Sequence, residues 1–166
     1  MPNHITNRIV SSDLPKIKAA LYGGEGRDVD FNMLVPMPQT VKDAGNPPIT
    51  LGGEMPDWYT WSIEHWGTKW NAYDVDVTDK CIQFDTAWSC PEPIVKALTK
   101  LGVPFTWEYA DEDIGSNLGT WQFRGAGQQL TFTEFPEEDR DREACRIKGY
   151  DWDEYQADIA EWEEGE

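Results

Sequence analysis

Trp152, Tyr155, Ile159 and Trp162 recur near the end of the chain at spacings of three, four and three. That spacing sets four apolar side chains on one stripe of an α-helix. Asp153, Glu154, Asp158 and Glu161 fall mostly on its other faces. The setting is strongly acidic. Residues 134–166 hold 14 acids and 4 bases, a net charge of −10 within a chain total of −17. A folded surface of this kind repels nucleic acid and can compete with it for basic proteins.

The rest of the chain is acidic as well, with 17 acids and 10 bases in residues 1–133. A solubility tail alone does not require that. Nine Trp, six Tyr and six Phe exceed what an intrinsically disordered acidic protein carries, so most of the chain folds. At 166 residues it is one domain, or one domain with an appendage. Phosphate binding needs clustered Lys and Arg, which argues against DNA, RNA or an anionic membrane as the direct ligand. Cys81, Cys90 and Cys145 have no C-x-x-C spacing. An odd count, with no basic-then-apolar opening, reads as reduced thiols in a cytosol. No apolar run reaches membrane-spanning length.

Along the chain, His4–Val10 reads as a first strand. Ser12 and Asp13 precede a short helix through Leu14, Ile17, Ala20 and Leu21, with Pro15 in its first turn, and the glycines at 23, 24 and 26 end it. Phe31–Val35 is a short apolar run. Residues 36–56 hold five Pro and three Gly and read as a long loop. Residues 56–66 read as a helix whose stripe includes Trp58, Trp61 and His65. An aromatic loop, 66–74, follows, then a strand at 80–84. Ser89-Cys-Pro-Glu92 has the form of a capping box, ahead of a buried face of Ile94, Val95, Ala97, Leu98 and Leu101 and a closing Gly102. Phe105, Trp107 and Tyr109 alternate as a half-buried strand, and 118–124 and 129–135 read as two more. The expected class is α+β: an antiparallel sheet with helices on one face, plus an acidic C-terminal helix.

Three stretches are distinctive: Trp66-Gly-Thr-Lys-Trp-Asn-Ala-Tyr-Asp74, Phe84-Asp-Thr-Ala-Trp-Ser89 followed by Pro91 and Pro93, and Tyr109-Ala-Asp-Glu-Asp113 followed by Gly115 and Gly119. With the opening Met1–Asn7 and Phe31–Pro38, they resemble the Api92-like family, also called YubB-like. The resemblance spans roughly residues 1–135. It implies a ferredoxin-like domain and an origin in a phage, plasmid or prophage, and it carries over no catalytic residues. The acidic helix lies outside it. The division expected is a ferredoxin-like domain over 1–135 and an acidic extension over 136–166.

Candidate chemistry is sparse. Trp66, Lys69, Trp70, Asn71, Tyr73 and Asp74 form either an aromatic pocket for a small ligand or a packed turn. Asp111, Glu112 and Asp113, with Asp85, offer a fragment of a hard-cation site that lacks the EF-hand pattern. With His4 and His65 as the only histidines, no zinc motif and no G-x-S-x-G are present, and His65 falls on its helix's expected buried stripe. The glycines at 23–26 match no phosphate loop. Neither a metal nor a cofactor is expected.

Three readings of the acidic segment remain. Its aromatic stripe docks on the domain and its acids confer solubility, or its carboxylates imitate phosphates, or its aromatics face outward and anchor a partner or a dimer. The leading expectation is a non-enzymatic inhibitor of a basic, nucleic-acid-handling host protein, of anti-CRISPR or anti-restriction type. Its contact residues are Glu137, Glu138, Asp139, Asp151, Asp153, Glu154, Asp158, Glu161, Glu163 and Glu164. The alternatives are a small-molecule-binding or enzymatic module using loop 66–74, and a structural protein of the mobile element.

Overall fold

Strand β1 (His4–Val10) lies between two strands that are distant in sequence, β3 (Ile82–Ala87) and β4 (Phe105–Asp111), and is antiparallel to both. The computed structural model describes residues 3–43 and 57–165. Outside β3 lies β2 (Tyr73–Val77). Outside β4 lie β5 (Leu118–Phe123) and the short β6 (Thr131–Thr133), giving the order β2-β3-β1-β4-β5-β6. Helix α1 (Leu14–Leu21) follows β1, and α4 (Glu92–Leu98) joins β3 to β4. Helices α2 (Gln39–Asp43) and α3 (Trp58–His65) lie in the long connection before β2. The β-α-β-β-α-β run with order β2-β3-β1-β4 is ferredoxin-like, and every neighbouring pair in the sheet is antiparallel.

Side chains alternate along a strand, so register fixes the two faces. Ile5, Asn7 and Ile9 share one face, in line with Phe84 and Ile82 of β3 and with Trp107 and Tyr109 of β4. This face is covered by Leu14, Ile17 and Leu21 of α1, Trp61 of α3, and Ile94, Val95 and Leu98 of α4. Asn7 is fully buried there. Its amide donates to Thr86 Oγ1 at 2.9 Å, and its carbonyl oxygen accepts from Trp107 Nε1 at 3.1 Å. Burying that amide is tolerable only because its partners are present.

The opposite face carries Thr6, Glu108 and Ala110, with Leu118 across from Ala110. Helix α5 (Arg140–Lys148) packs on it, closing a second cluster of Ala110, Leu118, Ala144 and Ile147. Gly149 ends α5 in the left-handed conformation, φ +78°, which glycine adopts without a Cβ clash. Asp151 then caps α6 (Trp152–Glu164), its Oδ1 accepting from Glu154 N at 2.9 Å. The helices of the first 135 residues thus lie on one face, and the acidic segment supplies a helix to the other.

Several local expectations change. The Ser89 hydroxyl donates to Gly67 O rather than to its own helix, and α4 starts after Pro91 with no side-chain cap. That helix ends at Leu98 and tightens into a 3-10 turn, leaving Leu101 exposed. His65 is exposed and stacks on Trp61 at 4.6 Å instead of lying in the core. The last strand shrinks to Thr131–Thr133, while β2 and α5 are elements that sequence reasoning missed. Residues 44–56 of the expected loop lie outside the described residues; α2 occupies part of its first half.

Candidate functional site

The register brings one set of strand termini to one end of the sheet. There β1, β2 and β5 begin while β3 and β4 end: His4 pairs with Ala87, Tyr73 with Asp85, Ile5 with Asp111, and Ala110 with Leu118. Backbone hydrogen bonds tie the neighbouring loops together at this end, Trp88 N to Asn3 O at 2.8 Å and Glu112 N to His4 O at 3.0 Å. The start of α6 joins them. A cleft of about 540 Å³ is lined by Ile114 of the β4–β5 loop and by Tyr150, Asp151, Glu154, Tyr155 and Asp158.

The ten acidic candidates fall into two groups separated by α5. Glu137, Glu138 and Asp139 form an exposed 3-10 turn. Asp151 caps α6, and Asp153, Glu154, Asp158, Glu161, Glu163 and Glu164 are exposed along it. None of the ten is ion-paired among the described residues. The reason lies in α5. Arg140 donates to the carbonyls of Gly115 and Ser116, both at 2.8 Å, Arg146 to Glu108 and Glu143, and Lys148 to Thr6 Oγ1 at 3.0 Å. Three of the segment's four bases are engaged by the sheet, the β4–β5 loop or Glu143, so the ten candidate acids remain uncompensated on the outside.

The apolar stripe of α6 is divided. Trp152 and Tyr155 are half-buried and stack at 5.8 Å. Ile159 and Trp162 lie beyond them, and Trp162 is 75% exposed. The first turn is docked and the last two turns present an apolar edge to solvent.

The six residues of loop 66–74 do not converge on one pocket. Trp66 is core: its Nε1 donates to Val35 O at 2.8 Å, and its ring packs edge-on to Phe31 and Trp61. Asn71 is a brace, accepting from Phe31 N at 3.0 Å and donating to Asp30 at 2.8 Å. Tyr73 lies on the α5 side of the sheet, its hydroxyl 2.6 Å from His4 Nδ1. Burial, then Asp85 and Asp74, push its pKa up to about 12. A cleft of about 460 Å³ lies beside Tyr73 and Asp74, with Arg27 and Asp28 on its wall. Lys69 and Trp70 are at the surface. The Lys69 ammonium lies 4.5 Å from the Trp70 ring centre, 5.0 Å from Trp88 and 6.0 Å from Tyr59. Trp88 and Tyr59 were not among the candidates; Trp88 was legible only as part of the distinctive Phe84-Asp-Thr-Ala-Trp-Ser89 stretch, and it directly follows β3.

Asp111 is 7% exposed and acts as a turn brace, accepting from Asn3 Nδ2 at 3.2 Å and from Asp113 N at 3.0 Å. The described residues hold no group of three or more His, Cys, Asp or Glu arranged for a metal. Cys145 is buried, and burial, then Asp141, raises its thiol pKa, the reverse of what a nucleophile needs. No described helix is long and apolar enough to cross a membrane.

Fold and strand order define an acidic α+β protein with a ferredoxin-like sheet. The chain belongs to the Api92-like family: the model for the ferredoxin-like domain in Api92-like protein matches residues 65–162, more than half of its length. The match runs past residue 135 through α5 and most of α6, so the acidic segment lies within the family's domain rather than outside it. No curated protein and no solved structure matches the chain.

Proposed function

We propose that this protein is a non-enzymatic inhibitor that binds a basic, nucleic-acid-handling protein of a bacterial host, with α6 as its contact element. The observation that supports this is the charge state of α6. The helix carries six acids and no base, all of them exposed and none ion-paired among the described residues. A helix rises about 1.5 Å per residue and duplex DNA carries a charge per roughly 1.7 Å of axis. Six acids over the thirteen residues of α6 place a charge about every 3 Å of helix axis, half the duplex density and close to the roughly 3.4 Å spacing along a single DNA strand.

The placement of the acids adds to the argument. Asp153 and Glu154 sit in the first turn, where the helix dipole favours anions. Glu161, Glu163 and Glu164 crowd the other end, where the dipole disfavours them and no base relieves them. A basic partner surface relieves both the repulsion and the dipole, while the exposed Trp162 gives it an apolar anchor. Occupying a nucleic-acid channel in this way blocks it without chemistry. The mobile-element setting implied by the family resemblance makes CRISPR or restriction machinery the target class.

The test is capture of partners from host lysate at low and high salt, with the native chain beside one whose six α6 acids are neutralised (Asp153→Asn, Glu154→Gln, Asp158→Asn, Glu161→Gln, Glu163→Gln, Glu164→Gln). The expected result is a nucleic-acid-binding protein held only by the native chain, only at low salt, and released by duplex DNA. Equal capture by both chains removes α6 from the function.

A further inference from the structure

Lys69 stands out by its rings: its ammonium lies over three aromatic side chains, whereas the Lys148 ammonium lies over Tyr150 alone. Like most of the described Lys and Arg, it forms no ion pair with a described Asp or Glu. Tyr59 comes from α3, Trp70 from the loop before β2, and Trp88 from the residue after β3. Tyr59 and Trp88 meet edge-to-face at 6.1 Å and 82°, so they form two walls rather than one flat stack. All three rings are 38–42% exposed, and Ile63 beside Tyr59 on α3 is 39% exposed.

The backbone at Trp88 adds to this. Its φ is +71°, a left-handed value that bulky L-residues rarely adopt and that marks stored strain, often found at ligand clamps. Its N–H is held by Asn3 O at 2.8 Å. The conformation leaves a large aromatic at the surface, where a buried position would bring more stability.

We propose that Tyr59, Trp70 and Trp88 form an aromatic cage that takes an arginine side chain from a basic polypeptide, with Lys69 as a place-holder that the incoming guanidinium displaces. Aromatic faces attract cations electrostatically, most strongly at Trp. A net charge of −17 draws a basic chain toward this surface and repels an acidic one. Guanidinium is favoured over ammonium because it is planar, stacks on aromatic faces and is less strongly hydrated, so it can outcompete a tethered lysine. The site extends the basic-partner reading to a second surface and stands apart from it, because α6 contributes no residue to the cage.

The test uses the full chain, labelled so that its Trp indole N–H signals are resolved by NMR, titrated with a capped Gly-Arg-Gly peptide and with its glutamine counterpart. The Trp70 and Trp88 signals are identified from Trp70→Ala and Trp88→Gly. Glycine accepts the positive φ at 88, so loss of binding in that variant reports the ring rather than the backbone. The expected result is a saturable shift of both signals with the arginine peptide alone. Lys69→Gln tightens binding by about two- to fivefold, the range of an exposed cation–π contact, and Trp88→Gly abolishes it. Unchanged or weaker binding in Lys69→Gln overturns the proposal, because a place-holder must compete. Shifts confined to Trp152 and Trp162 also overturn it, and would locate the arginine at α6 instead.

Discussion

Arg146 of α5 donates to the carboxylate of Glu108 on β4, a side chain only 11% exposed. The same guanidinium reaches Glu143 one helical turn back, at 2.6 Å. Burial works against the Arg146 charge, but the bonds to Glu108 and Glu143 outweigh it and hold its pKa above the ordinary value. Removing Arg146 leaves a nearly buried carboxylate without its cation. Arg146→Ala is therefore expected to cost about 1–3 kcal/mol in urea unfolding. Glu108→Gln, which keeps an acceptor, costs less. Equal losses from the two variants would mean that the pair does not fasten α5 to the sheet.

Where the acidic segment can be cut follows from the same packing. A chain ending at Gly149 keeps Ala144, Cys145 and Ile147, all nearly fully buried. It is expected to remain folded, with a melting temperature close to the native one. A chain ending at Pro136 uncovers Ala110 and Leu118 and loses the second core cluster. It is expected to be unfolded or aggregated by circular dichroism and size-exclusion chromatography. Within the longer chain, Ile147→Ala costs about 2–5 kcal/mol, as for other fully buried Ile.

Asp85 gives the fold an unusual pH response. Its pKa is raised from 3.8, mainly by burial; Lys148 opposes the rise, Asp74 adds to it, and His4 and the Thr6 hydroxyl oppose it. A carboxyl raised in the fold binds more protons folded than unfolded between its two pKa values. Stability from this group therefore falls as pH rises through that window, and the penalty persists at neutral pH. Asp85→Asn is expected to be at least as stable as the native chain at neutral pH. That advantage should shrink as pH drops below the folded pKa. A clear loss of stability at neutral pH would contradict the account of its surroundings.

The Tyr73–His4 bond offers a spectroscopic handle. Tyr73 and Tyr109 are both pushed up to about 12, chiefly by burial. Their phenolate absorbance should appear last in an alkaline titration, and Tyr73→Phe should remove one of the two late steps. The same variant forfeits the bond to His4 Nδ1, at a cost of about 0.5–1.5 kcal/mol. A Tyr73 that ionises with the early group would mean that its hydroxyl is open to solvent.

Much of this architecture was readable from residue patterns, and the failures share a cause. The β1 range follows from its β-rich composition, since the strand buries residues on both faces, and the α1 and α6 stripes follow from apolar spacing, since each helix buries or half-buries one face. Strand β2 reads Tyr-Asp-Val-Asp-Val, an edge strand whose two aspartates face solvent and look like loop. Helix α5 hides three apolar residues among six charges; what identifies it is the sheet face it covers, which no local pattern reveals. The same holds for function. The acids of α6 were visible as a run, but their being unpaired depends on Arg140, Arg146 and Lys148 being engaged by the sheet, the β4–β5 loop or Glu143. Loop 66–74 reads as a single unit, an aromatic pocket or a packed turn, because its residues are adjacent in sequence. In three dimensions Trp66 and Asn71 belong to the core side, and Lys69 belongs to Tyr59 and Trp88.

The most direct measurement is partner capture by the chain ending at Gly149 beside the full chain, at low and high salt, with duplex DNA as competitor. The account predicts that the full chain alone retains a nucleic-acid-binding protein, that retention is lost at high salt, and that DNA displaces it. Equal retention by the two chains, insensitive to salt and DNA, would contradict the role assigned to α6.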